Sequence, residues 1–246
     1  DSIDENLHDL IEIIISDDSD EKIIQKDRHE FLKESFNNYI YIHNDRRNGA
    51  VENWNKLISI AKGEYIWLLH HDEFWQKEKN IINYIFEIIK IKNPNILILP
   101  ISISKIIKFN NININITHKH ITLKKIYRNY ICNPKLLLKL NIIGSPSSII
   151  YKRIKLDYDK NFKYLVDVEF YFRLFTYFNS KNIIRGNKFY NLLSLQNNNN
   201  SITSLLKKEI RILKNKESIF IFKKYKLKFN FYENILSLHS YFILKL

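Results

Sequence analysis

Apolar positions in the first part of the chain come in short β-branched runs separated by amphipathic stretches of helical period. Ile11–Ser16 (Ile-Glu-Ile-Ile-Ile-Ser) is the first run, and a continuous run of this kind predicts a strand covered on both faces. Asp17, Asp18, Ser19 and Asp20 follow and supply caps for a helix from about Glu21 to Glu34. Tyr39–His43 predicts a second strand. The polar loop Asn44–Asn48 leads through Gly49 into a helix near Val51–Lys62, and Tyr65–Leu69 is the third strand. Strand–helix–strand–helix–strand at this spacing implies parallel βαβ units with right-handed crossovers.

The second part is less regular. A helix is expected from about Lys77 to Lys92, then an apolar strand at Ile96–Ser102 and a hairpin or irregular excursion across 105–122. Pro134 opens a short helix to about Leu140, and Ser148–Tyr151 reads as a buried strand. Val168–Phe178 is helical, with Phe170, Leu174, Phe175 and Phe178 on one face. Ile183–Leu195 is strand-like, Asn197–Asn200 a loop, and the chain beyond Ser201 helical. No Pro/Gly-rich linker divides the chain. One α/β domain over 1–195 is expected, with a nucleotide-binding part (1–75) and an acceptor-side part (76–195), followed by a helical extension (196–246).

Composition narrows the partners. At 246 residues the chain can bury a full core. Its 39 basic and 26 acidic residues give a net charge of +13, which favours anionic partners: a nucleotide diphosphate, lipid headgroups or nucleic acid. The lone Cys132 excludes an intramolecular disulfide and fits a reducing compartment. No apolar run reaches the roughly 18 uncharged residues of a spanning helix, and no signal peptide is visible.

Candidate chemistry concentrates in Gly63–Trp75 (Gly-Glu-Tyr-Ile-Trp-Leu-Leu-His-His-Asp-Glu-Phe-Trp). Acidic residues at the carboxyl end of a strand stand where α/β sheets bind ligands. Asp72 and Glu73 are hard oxygen ligands, suited to Mg²⁺ or Mn²⁺ and through the metal to a diphosphate. His70 and His71 raise a zinc site, but neighbours on an extended segment face opposite sides and no Cys/His partner pattern lies nearby. Asp167 in Leu-Val-Asp-Val-Glu opens a helix, where it is either an N-cap or a general base. Glu169 and Arg173 have the spacing of an i,i+4 surface pair.

Four patches in order resemble family-2 glycosyltransferases: Ile11–Asp20, Asn48–Asn55 ahead of Ala61–Ile66, His70–Glu73, and Asn141–Ser148 followed by Lys152–Arg153, Leu156–Asp159 and Leu165–Arg173. The resemblance implies an inverting GT-A enzyme with a Rossmann-like, mostly parallel sheet flanked by helices. It would move a sugar from a nucleotide-diphosphate donor to a hydroxyl of a bacterial-type surface glycan or glycolipid. It implies Asp17, Asp18, Asn53 and His71 as nucleotide-binding residues, with Asp18 accepting the N3–H of a uracil-like base. Asp72 and Glu73 would hold Mg²⁺ or Mn²⁺, Asp167 would be the general base, and Arg173 matches an arginine on the same helix. Trp54, Leu57 and Ile58 belong to the core.

The chain departs from the pattern at two points. His70 stands where an acid is usual. Nothing before Ile11 reads as the family's first strand; Asp1–Leu10 resembles the tail of the helix that would follow it, and the sequence has no Met, so a fragment lacking one wall of the donor site is expected. Two rivals follow: a degenerate, non-catalytic nucleotide-binding relative and a basic nucleic-acid module. Lys and Arg are scattered and enriched near the C-terminus instead of focused with aromatics on one face, so nucleic acid is not the expected partner. From Lys207 to Lys245 they interleave with Ile, Leu, Phe and Tyr, a pattern suited to peripheral contact with an anionic membrane, where a lipid-linked acceptor would be met. The expected location is cytoplasmic, at the inner face of the plasma membrane.

Overall fold

Two apolar layers on either face of one four-stranded sheet organise the molecule. The computed structural model describes residues 3–18, 26–75, 80–109, 112–119, 124–187, 192–196, 210–228 and 230. The expected caps Ser19 and Asp20, the first turns of the helices expected from Glu21 and Lys77, the loop Asn197–Asn200 and most of the 196–246 extension lie outside these residues.

A 3₁₀ turn (Glu5–Leu10) leads into β1 (Glu12–Asp17), then α1 (Lys26–Ser35), β2 (Asn38–His43), α2 (Ala50–Ile60) and β3 (Tyr65–Trp67). β1 and β2 are parallel, with Glu12 opposite Asn38 and Asp17 opposite His43, as the βαβ pattern requires. Among the described strands β1 pairs only with β2. Its residues Glu12–Ser16 are therefore only partly buried, against the expectation of a strand covered on both faces.

The central sheet runs β3–β8–β5–β9, where β5 is Ile96–Ile98, β8 Ile149–Lys152 and β9 Ile183–Arg185. Alternate side chains point to opposite faces. Ile96, Ile98, Ile149 and Tyr151 join the cluster containing Phe170, Leu174 and Phe175 of α5 (Val166–Tyr177). Leu97, Leu99 and Ile150 join Ile81, Ile82 and Ile85 of α3 (Ile81–Lys92) on the other face. Within this helix-covered sheet, β5 is buried throughout and β8 over Ile149–Tyr151. Parallel ladders are β1–β2, β5–β9 and β6–β10. β8 runs antiparallel to both β3 and β5.

The expected strand Ile96–Ser102 is two strands. Pro100 cannot donate to a ladder, and beyond it β6 (Ile101–Phe109) enters a second sheet, ordered β4–β10–β6–β7, with β4 Glu73–Trp75, β7 Ile112–Lys119 and β10 Leu192–Gln196. β6 and β7 form an antiparallel hairpin, one of the two readings of the 105–122 segment. Likewise Ile183–Leu195 divides into β9 and β10. A helix not anticipated, α4 (Lys124–Cys132), precedes the 3₁₀ turn Pro134–Leu138. Last in the described chain, α6 (Ile210–Lys224) buries Ile221 in the same core as α5.

Candidate active site

The carboxyl end of β1 carries the first candidate group. Asp17 is buried and accepts from the Tyr41 hydroxyl at 2.7 Å. Asp18 holds the following loop: Oδ1 accepts from Asn44 Nδ2 at 3.1 Å and Asn48 N at 2.8 Å, and Oδ2 from Gly49 N at 2.9 Å. A carboxylate has about four acceptor directions, so Asp18 keeps one on Oδ2. Gly49 takes φ +80°, a left-handed conformation at the start of α2 that glycine adopts without a Cβ penalty. Asn53 Nδ2 donates to Ser16 O at 3.1 Å. Asp17, Asp18 and Asn53 are thus brought together around one loop.

After β3 the chain makes a turn, and its side chains divide. His71 is exposed, and Asp72 is partly exposed with no hydrogen-bond partner among the described residues. His70 and Glu73 turn inward. The Glu73 side chain is 3% exposed, with Oε2 at 3.7 Å from His70 Nδ1. The His70 ring stacks on Trp54 at 5.0 Å. Burial pushes the His70 imidazole below its ordinary value, against the opposing pull of Glu73 and Asp72. Glu73 therefore lies with His70 inside the protein, while Asp72 alone presents a carboxylate outward. No group of three or more His, Cys, Asp or Glu side chains placed to hold a metal occurs among the described residues. One free carboxylate nevertheless suits Mg²⁺ or Mn²⁺, which keep waters and take phosphate oxygens alongside one or two carboxylates.

The third group forms a cavity of about 310 Å³ whose wall includes Trp54, His70, Asn141, Ser145, Tyr164 and Asp167. Its base is the turn Asn141–Ser148. Asn141 Oδ1 accepts from Ile143 N and Gly144 N at 2.9 and 3.0 Å, while Nδ2 donates to Asp167 Oδ2 at 3.1 Å. Gly144 sits at φ +111°, and a Cβ there would meet Ile101 Cγ2 at 2.7 Å, so no larger residue fits. The same turn reaches the strand end: Ser147 Oγ accepts from His70 N at 2.9 Å. Two polar atoms of cavity-lining residues, His70 Nε2 and Ser145 Oγ, are buried without a hydrogen-bond partner.

Asp167 is the second residue of α5, and the N-cap position belongs to Leu165. Its Oδ1 accepts from Val168 N at 2.8 Å. Desolvation is the main cause that pushes its carboxyl up to about 7, with the Glu217 charge adding to the rise and the Val168 bond opposing it. A carboxylate poised there takes a proton near neutral pH. Arg173 lies away from this cavity wall. Its guanidinium donates twice to Glu169 at 2.7 and 2.8 Å and once to Asp157 O at 2.7 Å. Glu169 is fully buried and also receives Lys224 Nζ at 3.1 Å and the Tyr225 hydroxyl. The expected surface pair is a buried ionic knot between α5 and α6, because α6 covers that face.

Asn141 went unassigned although Asn-x-x-Gly is a side-chain-to-backbone turn signal. Glu217 also went unassigned; its one trace in the sequence is that it is the single acid of a basic helix.

The Glycosyl transferase family 2 profile matches residues 1–131. The chain belongs to this family. Among solved structures it is similar to S. aureus TarS in complex with UDP-GlcNAc, at TM-score 0.55 and 16% identity over 78% of this chain and 52% of that one. It is also similar to S. aureus TarS in complex with UDP, at TM-score 0.52 and 16% identity over 84% of this chain and 55% of that one. The chain therefore spans about half the length of these TarS structures. At this identity the likeness establishes the GT-A fold. No curated protein sequence matches.

Proposed function

We propose that this chain transfers a sugar from a nucleotide-diphosphate donor to a hydroxyl of a surface glycan or lipid-linked acceptor, with inversion and a divalent metal. The carrying observation is Asp167, held by Asn141 and Val168 in a cavity with its carboxyl pushed up to about 7. In the step proposed, the acceptor O–H proton passes to the Asp167 carboxylate as the oxygen bonds to the anomeric carbon. The bond from that carbon to the diphosphate breaks on the opposite face, and its electron pair leaves with the nucleotide. Asp18, with Asp17 and Asn53, forms the wall that reads the base, through the open direction on Oδ2. Asp72 and the neighbouring exposed His71 face the diphosphate, and Asp72 would hold Mg²⁺ or Mn²⁺. That ion would offset the charge developing on the leaving group. Glu73 supports the site from within, through His70. Support for a UDP-type donor comes from the TarS structures, which hold UDP-GlcNAc and UDP.

Incubation with UDP-sugars and Mn²⁺ tests this reading. Release of nucleoside diphosphate that disappears in both Asp72→Ala and Asp167→Asn is expected; release that persists in both contradicts it. Isothermal calorimetry separates the roles, because Asp72→Ala should abolish Mn²⁺-dependent binding of UDP while Asp167→Asn keeps it.

A peripheral membrane contact is the second part of the proposal, and α6 favours it. Ile212, Ile219 and Phe220 are 58%, 55% and 46% exposed, and they share a helix face with Lys216 and Lys223. No described helix is long and apolar enough to cross a membrane. Apolar side chains at the headgroup boundary with lysines on anionic lipid would attach this face reversibly. Equal partitioning onto neutral and anionic vesicles would remove the electrostatic part of this idea.

A further inference from the structure

α6 reaches the base-bearing helix at two places, and one of them lies directly before Asp167. Glu217 is 6% exposed. Its carboxylate accepts from three successive amides of the turn entering α5: Lys163 N at 2.8 Å, Tyr164 N at 3.1 Å and Leu165 N at 2.7 Å. Leu165, the N-cap residue of α5, offers no side-chain cap of its own. A buried carboxylate from a segment some fifty residues later thus does the work that a local cap does elsewhere. Three converging N–H groups are a strong site for one anion.

We propose that Glu217 is the positioning residue for Asp167: its carboxylate clamps the turn 163–165 and so fixes where the first turn of α5, and the base on it, stands against the cavity. This rests on Asp167 being the base of the proposed reaction. A second consequence follows from its charge. Tyr158, Tyr164 and Tyr171 surround Asp167 and all stay protonated in the neutral range, raised by burial. Lys139, Lys163, Lys214 and His70 stand along the cavity wall. Glu217 is the one carboxylate that raises Asp167. It therefore adds to the rise that burial gives Asp167, against the backbone amide that opposes it.

Glu217→Gln tests the clamp, since it keeps length and one acceptor oxygen but removes the charge. Carbon-13 carboxyl titration, with Asp167→Asn identifying the resonance, should show the Asp167 midpoint moving to lower pH in Glu217→Gln. Transfer by that variant should fall on the order of 10-fold in kcat with donor KM held, the signature of a group acting at the chemical step. Glu217→Gln should have no further effect in the Asp167→Asn background. An unmoved Asp167 midpoint in a folded Glu217→Gln protein would leave Glu217 a purely structural residue and overturn the proposal. Should Glu217→Gln not fold, amide hydrogen exchange of the unaltered protein decides. Lys163, Tyr164 and Leu165 are expected to exchange as slowly as the interior of α5, and free-loop rates overturn the clamp. Neither titration nor exchange requires sugar transfer, so a shifted midpoint without any transferase activity would retain the clamp and remove the functional reading instead.

Discussion

Asp18 and Asp167 are both aspartates at the start of a turn or helix beside a candidate ligand site, and the protein treats them in opposite ways. Asp18 sits at the end of a two-stranded, half-buried ladder and spends three acceptor directions on the Asn44–Gly49 loop. Asp167 sits against the doubly covered sheet, is held by Asn141 and Val168, and is buried deeply enough for its carboxyl to rise to about 7. The first is a fastener, with its acceptor directions taken up by the loop. The second, buried and raised, is the base of the proposed reaction. Residue type is shared; burial separates the two environments.

The sharpest way to break this comparison is to neutralise each carboxylate. Asp167→Asn keeps size and one of the two accepted hydrogen bonds but removes the basic oxygen, so turnover is expected to fall about 10²-fold or more while UDP affinity holds, measured by single-turnover transfer and calorimetry. Asp18→Asn should instead weaken UDP binding and leave the rate of the bound complex close to unchanged.

Stability gives the next largest contrast. Arg173 is the principal partner of a fully buried Glu169. Removing one member of a buried pair costs about 3–5 kcal/mol, and Arg173→Ala should approach the lower end because Lys224 remains at 3.1 Å. Urea unfolding measures it. A loss comparable to that of an exposed pair, under about 1 kcal/mol, would show that the knot is solvated in solution. Asp18→Ala should be milder, about 1–3 kcal/mol for charge-assisted bonds to loop amides.

The pH dependence of stability adds a slope. Because the folded-state pKa of Asp167 is raised to about 7 from 3.8, the folded protein binds more protons than the unfolded chain between those values. Its contribution to stability therefore falls as pH rises through that window and stays low above it. Asp167→Asn should remove this component and leave the variant relatively more stable at pH 8 than at pH 4, when each is compared with the unaltered protein.

The sequence was most readable where local rules suffice. The β-branched run Ile11–Ser16, the turn at Gly49, the paired signals at Gly144 and Asp167 and the hydrophobic face of α5 all depend on neighbours within a few residues. Readings failed where distant segments decide. Pro100 splits an apolar run between two sheets, and a stricter reading of its missing N–H would have found the break. Glu73 looked like a second metal ligand by adjacency to Asp72, but β4 pairs with β10 and its side chain points inward to His70. Arg173 and Glu169 looked like a surface pair because α6, which buries them, lies some fifty residues further on. Glu217 carried only the signal of a single acid in a basic helix, since its partners are backbone amides of another segment.

The account stands on Asp167 acting as the base, and the pH dependence of transfer tests this most directly. With saturating donor and Mn²⁺, kcat of the unaltered chain should rise with pH through a single limb centred near 7, as the carboxylate forms. In Asp167→Asn the residual rate should lack that limb. A limb of the same midpoint in Asp167→Asn, or full activity well below pH 5 in the unaltered chain, would contradict the assignment.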